Sequence, residues 1–308
     1  MKKVLSISVG SASRDHSARR VFLDQEVELS RIGTTGDLDK AIALYREYDG
    51  KVDAFGVGGL EFYLGVGKRR YYFREVQRVR DAIKISKVGD GNGVKGLLVQ
   101  RALTALEAHL NAEDRSLRGM KALKTNAVDR YVMAEALVNA GCDPVFGDFM
   151  FSLGMPIAIR SLSGVRVVAA LLLPIITKLP FKWFYPLGSA QDNDPEPKWT
   201  RYYQQADVIA GDFVSIRAHM PDDLSNKIVV TNTTTAKNVE ELRQRNLNIL
   251  ITTTPRLDGR SFGTNVMEAT LLALMDKPQS EVVPADFLDL IERIPLEPNI
   301  EVLNPFVK

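Results

Sequence analysis

Two threonine-rich segments carry the side chains best suited to bind a polar ligand. The segment Thr231–Thr235 (TNTTT) follows an apolar run at Ile228–Val230, and Thr252–Thr254 follows a second apolar run at Ile249–Ile251. Short β-branched apolar runs are typical of buried strands, and open parallel sheets bind ligands at the carboxyl ends of their strands. Threonine also favours strands and caps helices without any ligand. Because two such segments follow successive strands, we predict a polar pocket formed by Thr231, Asn232, Thr233, Thr252 and Thr253, with Arg256 or Arg260 beside them.

Composition sets limits on the class of protein. The chain has 308 residues, with 45% hydrophobic residues, 25% charged residues and a formal net charge of +2. This near-balance of charge gives no reason to expect a nucleic-acid partner, and the length favours two domains. The single Cys142 excludes an internal disulfide and favours a cytoplasmic location. Since His16, His109 and His219 are far apart in sequence, we predict no metal site.

The most apolar segment is Val165–Ile176, which contains Pro174. It is well short of the roughly 20 residues that a membrane span requires, so we expect no membrane span. The aromatic run Phe181–Tyr185 follows it. We therefore predict a buried helix and an aromatic loop, with Trp183 buried in the core, in a lid or in the interface of a possible homodimer.

The order of apolar runs and helical periodicity predicts an α/β protein. We expect a small N-terminal substrate-type α/β domain over residues 1–110 and a Rossmann-like, doubly wound parallel-sheet domain over residues 118–275. The second domain carries the apolar insertion 151–186, and a tail of residues 276–308 packs back. Within the second domain, Lys121–Asp148 is the clearest βαβ unit, with Asp129 as the predicted N-cap of its helix.

Three motifs resemble those of the shikimate/quinate 5-dehydrogenase family. They are DGNGVKGLLVQRAL from Asp90, ADVIAGD from Ala206 and VMEATLLALMDKP from Val266. The resemblance implies a substrate domain joined to a Rossmann cofactor domain. It also implies hydride transfer between NAD or NADP and a polyhydroxylated cyclic acid.

The same resemblance implies roles for individual residues. Asp90 and Lys68 would handle the proton of the substrate hydroxyl, with Lys95 as the competing lysine, and Glu268 stands where the family holds its substrate with Gln. The cofactor loop would fall on Asn126–Tyr131. The residues implied or predicted to bind the cofactor are Asn126, Arg130, Asp148, Thr231, Asn232, Thr233, Thr252, Thr253 and Arg260.

The cofactor loop departs from the family pattern because Asn126–Tyr131 contains no glycine. Glycines let the backbone approach a diphosphate at the N-terminus of a helix. Asp129 adds a negative charge at the same place, although Asp148, about 20 residues further on, suits a ribose-binding acid. We therefore predict weak or absent NAD(P) binding in the usual pose.

Two other functions stay open. The first is a non-redox enzyme or binding protein for an anionic small molecule, which would use the threonine segments. The second is a structural partner protein that docks through Phe181–Tyr185, which leaves both polar segments without a role. For the catalytic role of Asp90, we expect its glycine-rich turn to meet Thr252–Thr254 across a gap between the domains.

Overall fold

The structure is a computed structural model that describes residues 1–180, 196–257, 260–261, 263–294 and 297–306. Its chain forms two α/β domains, each built on a mainly parallel sheet. This confirms the predicted fold class.

The first domain contains a five-stranded sheet, a hairpin and two helices. In chain order its elements are β1 (Lys2–Ser8), β2 (Ser17–Phe22), β3 (Gln25–Gly33), α1 (Leu38–Tyr48), β4 (Ala54–Gly58), β5 (Tyr63–Val66), β6 (Arg69–Tyr72), α2 (Arg74–Ala82) and β7 (Lys87–Gly89). The sheet has the order β2-β3-β1-β4-β7, with only β2 antiparallel, and β5 and β6 pair separately.

Burial on both faces explains why the central strands of this sheet are so apolar. In β1 every residue from Val4 to Ser8 is buried, as is all of β4. The helix α1 covers one face through Ala41, Ile42 and Tyr45. The Tyr45 hydroxyl donates a 2.8 Å hydrogen bond to the carbonyl of Ile7, which ties the helix to the sheet.

The second domain is a six-stranded sheet flanked by helices. Its elements begin with α3 (Lys95–Asn111), β8 (Lys121–Lys124), α4 (Tyr131–Asn139), β9 (Asp143–Phe146), α5 (Asp148–Leu153), α6 (Leu162–Ile176), α7 (Thr200–Gln205) and β10 (Val208–Ala210). The second domain continues with α8 (Phe213–His219), β11 (Ile228–Thr231), α9 (Ala236–Gln244), β12 (Ile249–Thr252), β13 (Arg256–Leu257), β14 (Arg260–Ser261) and β15 (Asn299–Val302). Before β15 the chain forms α10 (Thr264–Leu274) and α11 (Pro284–Arg293), which pack with the first sheet.

Strand order in the second sheet is β9-β8-β10-β11-β12-β15, and only β15 is antiparallel. The next strand in the chain after β8 is β9, which lies on one side of β8. The strands β10, β11 and β12 lie on its other side. The order therefore reverses between β8 and β10. Such a switch point is where open α/β sheets form a ligand crevice.

The helix α10 returns to the first domain, although the predicted second domain of residues 118–275 includes it. Val266, Met267 and Ala269 pack with Val4 and Ala54 in one core cluster, and α10 lies against β1, β4 and β7. Every residue from Val266 to Ala273 is buried. A helix that is apolar on all sides needs cover on all sides, and the first sheet supplies part of it. In the C-terminal tail, β15 pairs antiparallel with β12 of the second sheet.

The apolar segment forms α6, which is buried on one face only. Val165, Ala169 and Leu173 join the core, whereas Val167, Leu171 and Ile175 are 58%, 68% and 63% exposed. The predicted aromatic loop with Trp183 lies outside the described residues, and the possible homodimer stays a prediction. Among the helices of the described ranges, none is long and apolar enough to cross a membrane.

We expect Leu106→Ala to lower the free energy of unfolding by about 2–5 kcal/mol, because it leaves a cavity in a packed core. Leu106 in α3 is fully buried. The matched control is Leu171→Ala, which changes an exposed leucine of α6 and should cost less than about 0.5 kcal/mol. Urea denaturation of both variants measures the difference, and equal losses would contradict the packing described above.

Candidate functional site

The carboxyl ends of the two sheets face a shared cavity of about 400 Å³. The first domain contributes residues from the ends of β1, β3 and β4, and the second contributes the loops after β10 and β11. Among the described residues, four cationic side chains and one carboxylate line this cavity, together with serine, threonine and asparagine side chains. The charged residues are Arg14, Arg31, Arg217, Lys237 and Asp212; the polar ones include Ser6, Ser8, Ser30, Thr233, Thr234, Thr235, Asn238 and Asn265.

Two arginines of the cavity, Arg31 and Arg217, are held in place by acids. The Arg31 guanidinium lies 2.6 Å from the carboxylate of Asp15, and it also donates to the carbonyl of Ser11. The Arg217 Nε lies 2.7 Å from the carboxylate of Glu241. Charge-assisted contacts of this kind restrict the orientation of a guanidinium. Both groups are therefore positioned before any ligand arrives.

The N-terminus of α9 faces the same cavity. Thr235 caps it by accepting from the Asn238 N–H, and the Asn238 side chain accepts from the Thr235 N–H, so the turn is a capping box. Lys237 is exposed in the first turn. The helix dipole and this ammonium group act in the same direction, so the second-domain wall favours a negative charge.

Glycines of β4 serve the packing of the site rather than contact with a ligand. A Cβ atom on Gly58 would lie 2.6 Å from the Cβ of Ser8, and one on Gly56 would lie 2.8 Å from the amide nitrogen of Asn265. That amide in turn donates a 3.0 Å hydrogen bond to the Ser6 hydroxyl. The small residues thus let α10 and β1 bring polar side chains to one edge.

Beside the cavity, a buried polar network joins the strand ends of the second sheet. The carboxylate of Asp212 accepts from the Arg130 guanidinium at 3.1 Å and from the Asn232 amide at 3.3 Å. Lys124 is fully buried, and its ammonium group donates to the carbonyl of Asn126 at 2.6 Å. Burial lowers the pKa of Lys124 to about 8. The network therefore connects the switch point to the lining residue Asp212.

Several atoms of this network have no hydrogen-bond partner although they are buried. Leaving such an atom unpaired costs about 1–3 kcal/mol, so a cluster of them requires an explanation. Six of the nine such side-chain atoms among the described residues lie at this edge of the second sheet. They are Thr125 Oγ1, Asn126 Oδ1, Arg130 Nε, Asp148 Oδ2, Thr231 Oγ1 and Asn232 Oδ1.

A second buried cluster lies where the chain passes from the first domain into α3. The Lys95 ammonium lies 2.6 Å from the Glu61 carboxylate, and Asp90 accepts from the N–H of Phe62 and the amide of Asn92, both at 2.8 Å. Glu268 of α10 accepts from the N–H of Gly91. Burial raises the pKa of Glu61 to about 7 and that of Glu268 to about 8.

The structure brings together two of the three residues given catalytic roles. Asp90 and Glu268 lie in this second cluster, whereas Lys68 is exposed at the turn between β5 and β6. Lys95, the alternative candidate for the catalytic lysine, does belong to the cluster, because it begins α3 just after the turn that contains Asp90. The predicted approach of Asp90 to Thr252–Thr254 stays a prediction.

Five of the predicted ligand-binding residues share the edge of the second sheet, and Thr233 lines the cavity. The five are Asn126, Arg130, Asp148, Thr231 and Asn232. Two of the later threonines bond internally: the Thr252 hydroxyl donates to the Thr254 carbonyl and the Thr254 hydroxyl to the Asn232 carbonyl. Thr253 is buried between them. The side chains of Arg256 and Arg260 lie outside the described residues.

The prediction that Asp129 is the N-cap of α4 is wrong. Arg130 caps α4, without a side-chain cap hydrogen bond, and the Asp129 carboxylate lies 3.7 Å from the Arg130 Nε. Attraction to the neighbouring guanidinium replaces the capping contact. Sequence reasoning also missed Glu61, Lys124 and Asp212 as site residues. A lysine that ends an apolar strand, as Lys124 does, was the one local signal for them.

The residues of the loop between β8 and α4 do not fit the diphosphate of NAD or NADP in the usual pose. The Val128 N–H, which would face a phosphate there, donates to the Asp148 carboxylate at 2.8 Å. Burial raises the pKa of Asp148, and the N–H groups of Val128 and Ala127 oppose that shift. The loop is thus occupied by the chain's own carboxyl group, and the predicted weak NAD(P) binding stays a prediction.

Two family models match consecutive parts of the chain, and they show the family of the protein. Residues 93–303 match the family described as Domain of unknown function (DUF8754), and residues 3–90 match Domain of unknown function (DUF8753). Since the first match spans more than half of the chain, the protein belongs to the DUF8754 family. No curated protein matches this chain.

Several solved structures are distantly similar. A galactofuranose-binding protein is 13% identical, with 96% of this chain and 99% of that chain covered and a TM-score of 0.34. A periplasmic solute-binding protein of an ABC transporter from Actinobacillus succinogenes, with bound D-allose, is 10% identical over 97% of both chains, with a TM-score of 0.37. A glutamate dehydrogenase is 11% identical, with 95% of this chain and 68% of that chain covered and a TM-score of 0.38. At these scores the similarity supports no statement about ligand or reaction.

Two expectations are corrected by these comparisons. The resemblance to shikimate/quinate 5-dehydrogenases is wrong, because the chain belongs to a different family; the oxidoreductase assignment and the roles given to Lys68, Asp90 and Glu268 rested on it. The cytoplasmic location is also corrected, because it rested on the single cysteine of the sequence alone. The buried thiol of Cys142 does not decide the compartment, because one cysteine forms no internal disulfide anywhere.

We expect Glu268→Gln to flatten the pH dependence of stability. A carboxyl group whose pKa is raised on folding stabilises the protein fully below its unfolded pKa, near 4.5, and this contribution is lost as the pH rises through about 8. Each such group adds a slope of at most about 1.4 kcal/mol per pH unit. Urea denaturation between pH 5 and 8.5 should show the variant gaining on the wild type as the pH rises, and parallel curves would contradict the assignment.

Proposed function

We propose that the cavity between the two domains binds a small molecule that carries both an acidic group and several hydroxyl groups. The observation that supports this is the composition of its lining, in which four cations outnumber one carboxylate among serine, threonine and asparagine side chains. Hydroxyl and amide side chains both donate and accept hydrogen bonds, as hydroxyl groups of a ligand do. The cations provide the matching charge for an acid.

The arrangement of the cations, as well as their number, indicates the charge of the ligand. Arg31 and Arg217 are each paired with an acid, so their charges are partly compensated. Lys237 has no ion pair among the described residues, and it stands at the positive end of α9. We infer that the acidic group of the ligand lies near Lys237 and Thr233–Thr235.

Binding of D-gluconate, D-glucarate and D-glucose 6-phosphate tests this function by calorimetric titration, with neutral sorbitol for comparison. We expect at least one of the anions to bind more tightly than sorbitol by about tenfold or more. Lys237→Ala should weaken that anion about fivefold, a loss of about 1 kcal/mol typical of a partly exposed charge contact. The matched control is Lys40→Ala, which removes an exposed lysine in the first turn of α1 and should change nothing. If no anion binds more tightly than sorbitol, the proposal is wrong.

A non-redox enzyme is the second candidate, and the buried pair of Glu61 and Lys95 is the observation that favours it. The carboxyl group of Glu61 has its pKa raised by burial to about 7, close to the range in which a group both takes up and releases protons at neutral pH. The side chain is 17% exposed, and it lies beside Lys95 at 2.6 Å. These properties suit proton transfer to and from a ligand group that reaches this cluster from the cavity.

Proton transfer of this kind would exchange a C–H hydrogen of the bound acid with solvent. We expect the wild type in D₂O to exchange the hydrogen next to the carboxylate of the tightest-binding sugar acid, as followed by proton NMR. Glu61→Gln should slow that exchange at least a hundredfold, in the range of general acid–base catalysis, and leave the Kd within threefold. Absence of exchange in the wild type would leave a binding protein as the function.

A further inference from the structure

The loop between β8 and α4 has the position of a phosphate-binding loop. It follows the first strand of the second sheet, lies beside the switch point and leads into a nine-residue helix. Backbone N–H groups at such a position bind anions in many α/β proteins. In this chain the Val128 N–H is already bonded to the Asp148 carboxyl group.

The Asp148 side chain is more than nine-tenths buried, and only one of its oxygens is used. Its Oδ1 accepts from Val128, whereas Oδ2 has no partner among the described residues. The carboxyl group comes from the end of β9, the strand next to β8. An acid from a neighbouring strand thus occupies the place where a phosphate would bind.

We propose that Asp148 permanently fills the phosphate position of the second domain, so that the switch point binds hydroxyl groups of the ligand instead of a phosphate. The first half of the proposal stands on the Asp148 contacts alone. The second half rests on the proposed function, since it assigns the hydroxylated end of the ligand to this edge and its acidic end to Lys237.

The unpartnered atoms at this edge indicate which groups fit. Asn126 and Asn232 each present an amide oxygen without a donor, and Thr125 and Thr231 present hydroxyl groups that need one partner each. Hydroxyl groups of a ligand match all four atoms, because each can donate to an amide oxygen and can accept from the hydroxyl group of a threonine. An ammonium group only donates, and the Arg130 guanidinium at the same edge would repel it. Hydroxyl groups are therefore the better match.

The phosphate half is tested by NMR of the Val128 amide with inorganic pyrophosphate and with ADP-ribose as probes. In the wild type we expect no movement of this resonance. In Asp148→Ser, which shortens the side chain and frees the N–H group, we expect a saturable shift with pyrophosphate. The control Asp143→Asn changes an exposed acid of the same strand region and should behave like the wild type. A saturable shift in the wild type overturns the proposal, and so does a folded Asp148→Ser protein that ignores pyrophosphate.

The hydroxyl half is tested by a matched pair of variants that does not depend on the folding of Asp148→Ser. Asn126→Ala removes the unpartnered amide oxygen, and Ser152→Ala removes the hydroxyl bonded to the Asn126 amide nitrogen at 2.8 Å but leaves that oxygen. With D-gluconate as the probe we expect about tenfold weaker binding for Asn126→Ala and a change within twofold for Ser152→Ala. Equal effects, or none, overturn the assignment.

The two proposals fail in different ways. If D-gluconate binding is weakened by Lys237→Ala but not by Asn126→Ala, the cavity binds the acid and the hydroxyl assignment is wrong. If D-gluconate does not bind, the hydroxyl test moves to whichever of D-glucarate and D-glucose 6-phosphate binds. If none of them binds, the proposed function and the hydroxyl half are both overturned. The Val128 experiment then still decides whether Asp148 fills the phosphate position.

Discussion

The close packing of α10 on the first sheet is the contact on which the rest of the structure depends. Glycines at Gly56 and Gly89 allow it, because a Cβ atom on either would lie within 3 Å of Asn265 or Glu268. The helix comes from the far end of the chain, yet it supplies Asn265 to the cavity and Glu268 to the buried cluster behind it. A larger residue at either glycine would push α10 away and separate both polar groups from their partners.

The two walls of the cleft differ in the kind of partner they offer. The cavity side presents guanidinium groups held by acids, as for Arg31 with Asp15, together with the exposed ammonium group of Lys237. The edge of the second sheet presents mainly oxygens, several of them buried without donors. Such a cleft would orient a ligand that carries both an acid and hydroxyl groups, because a cation attracts the acid whereas an unpartnered oxygen needs the hydrogen of a hydroxyl group. Orientation by polarity requires no change of shape in the protein.

Much of the fold could be predicted from the sequence, because local patterns specify local elements. The strands before Thr231 and Thr252, the βαβ unit from Lys121 and the helix over Val165–Ile176 all follow from periodicity. The partners of Glu61, Lys124 and Asp148 could not be predicted, since these contacts join residues that lie on separate elements of the fold. The motif around Asp90 explains the mistaken family, because Gly91 and Gly93 lie against α10 and a glycine pattern that packing requires does not identify a reaction.

The return of α10 also has a consequence for how the chain folds. The first sheet is complete by residue 89, but the helix that covers one of its faces begins at residue 264. During synthesis, the apolar surface around Val4, Leu29 and Ala54 therefore stays uncovered until almost the whole second domain has left the ribosome. Contacts of such long sequence separation slow folding, and exposed apolar sheets aggregate. The first sheet accordingly receives this covering helix late in synthesis, and a chain that ends before residue 264 exposes the apolar residues that α10 covers.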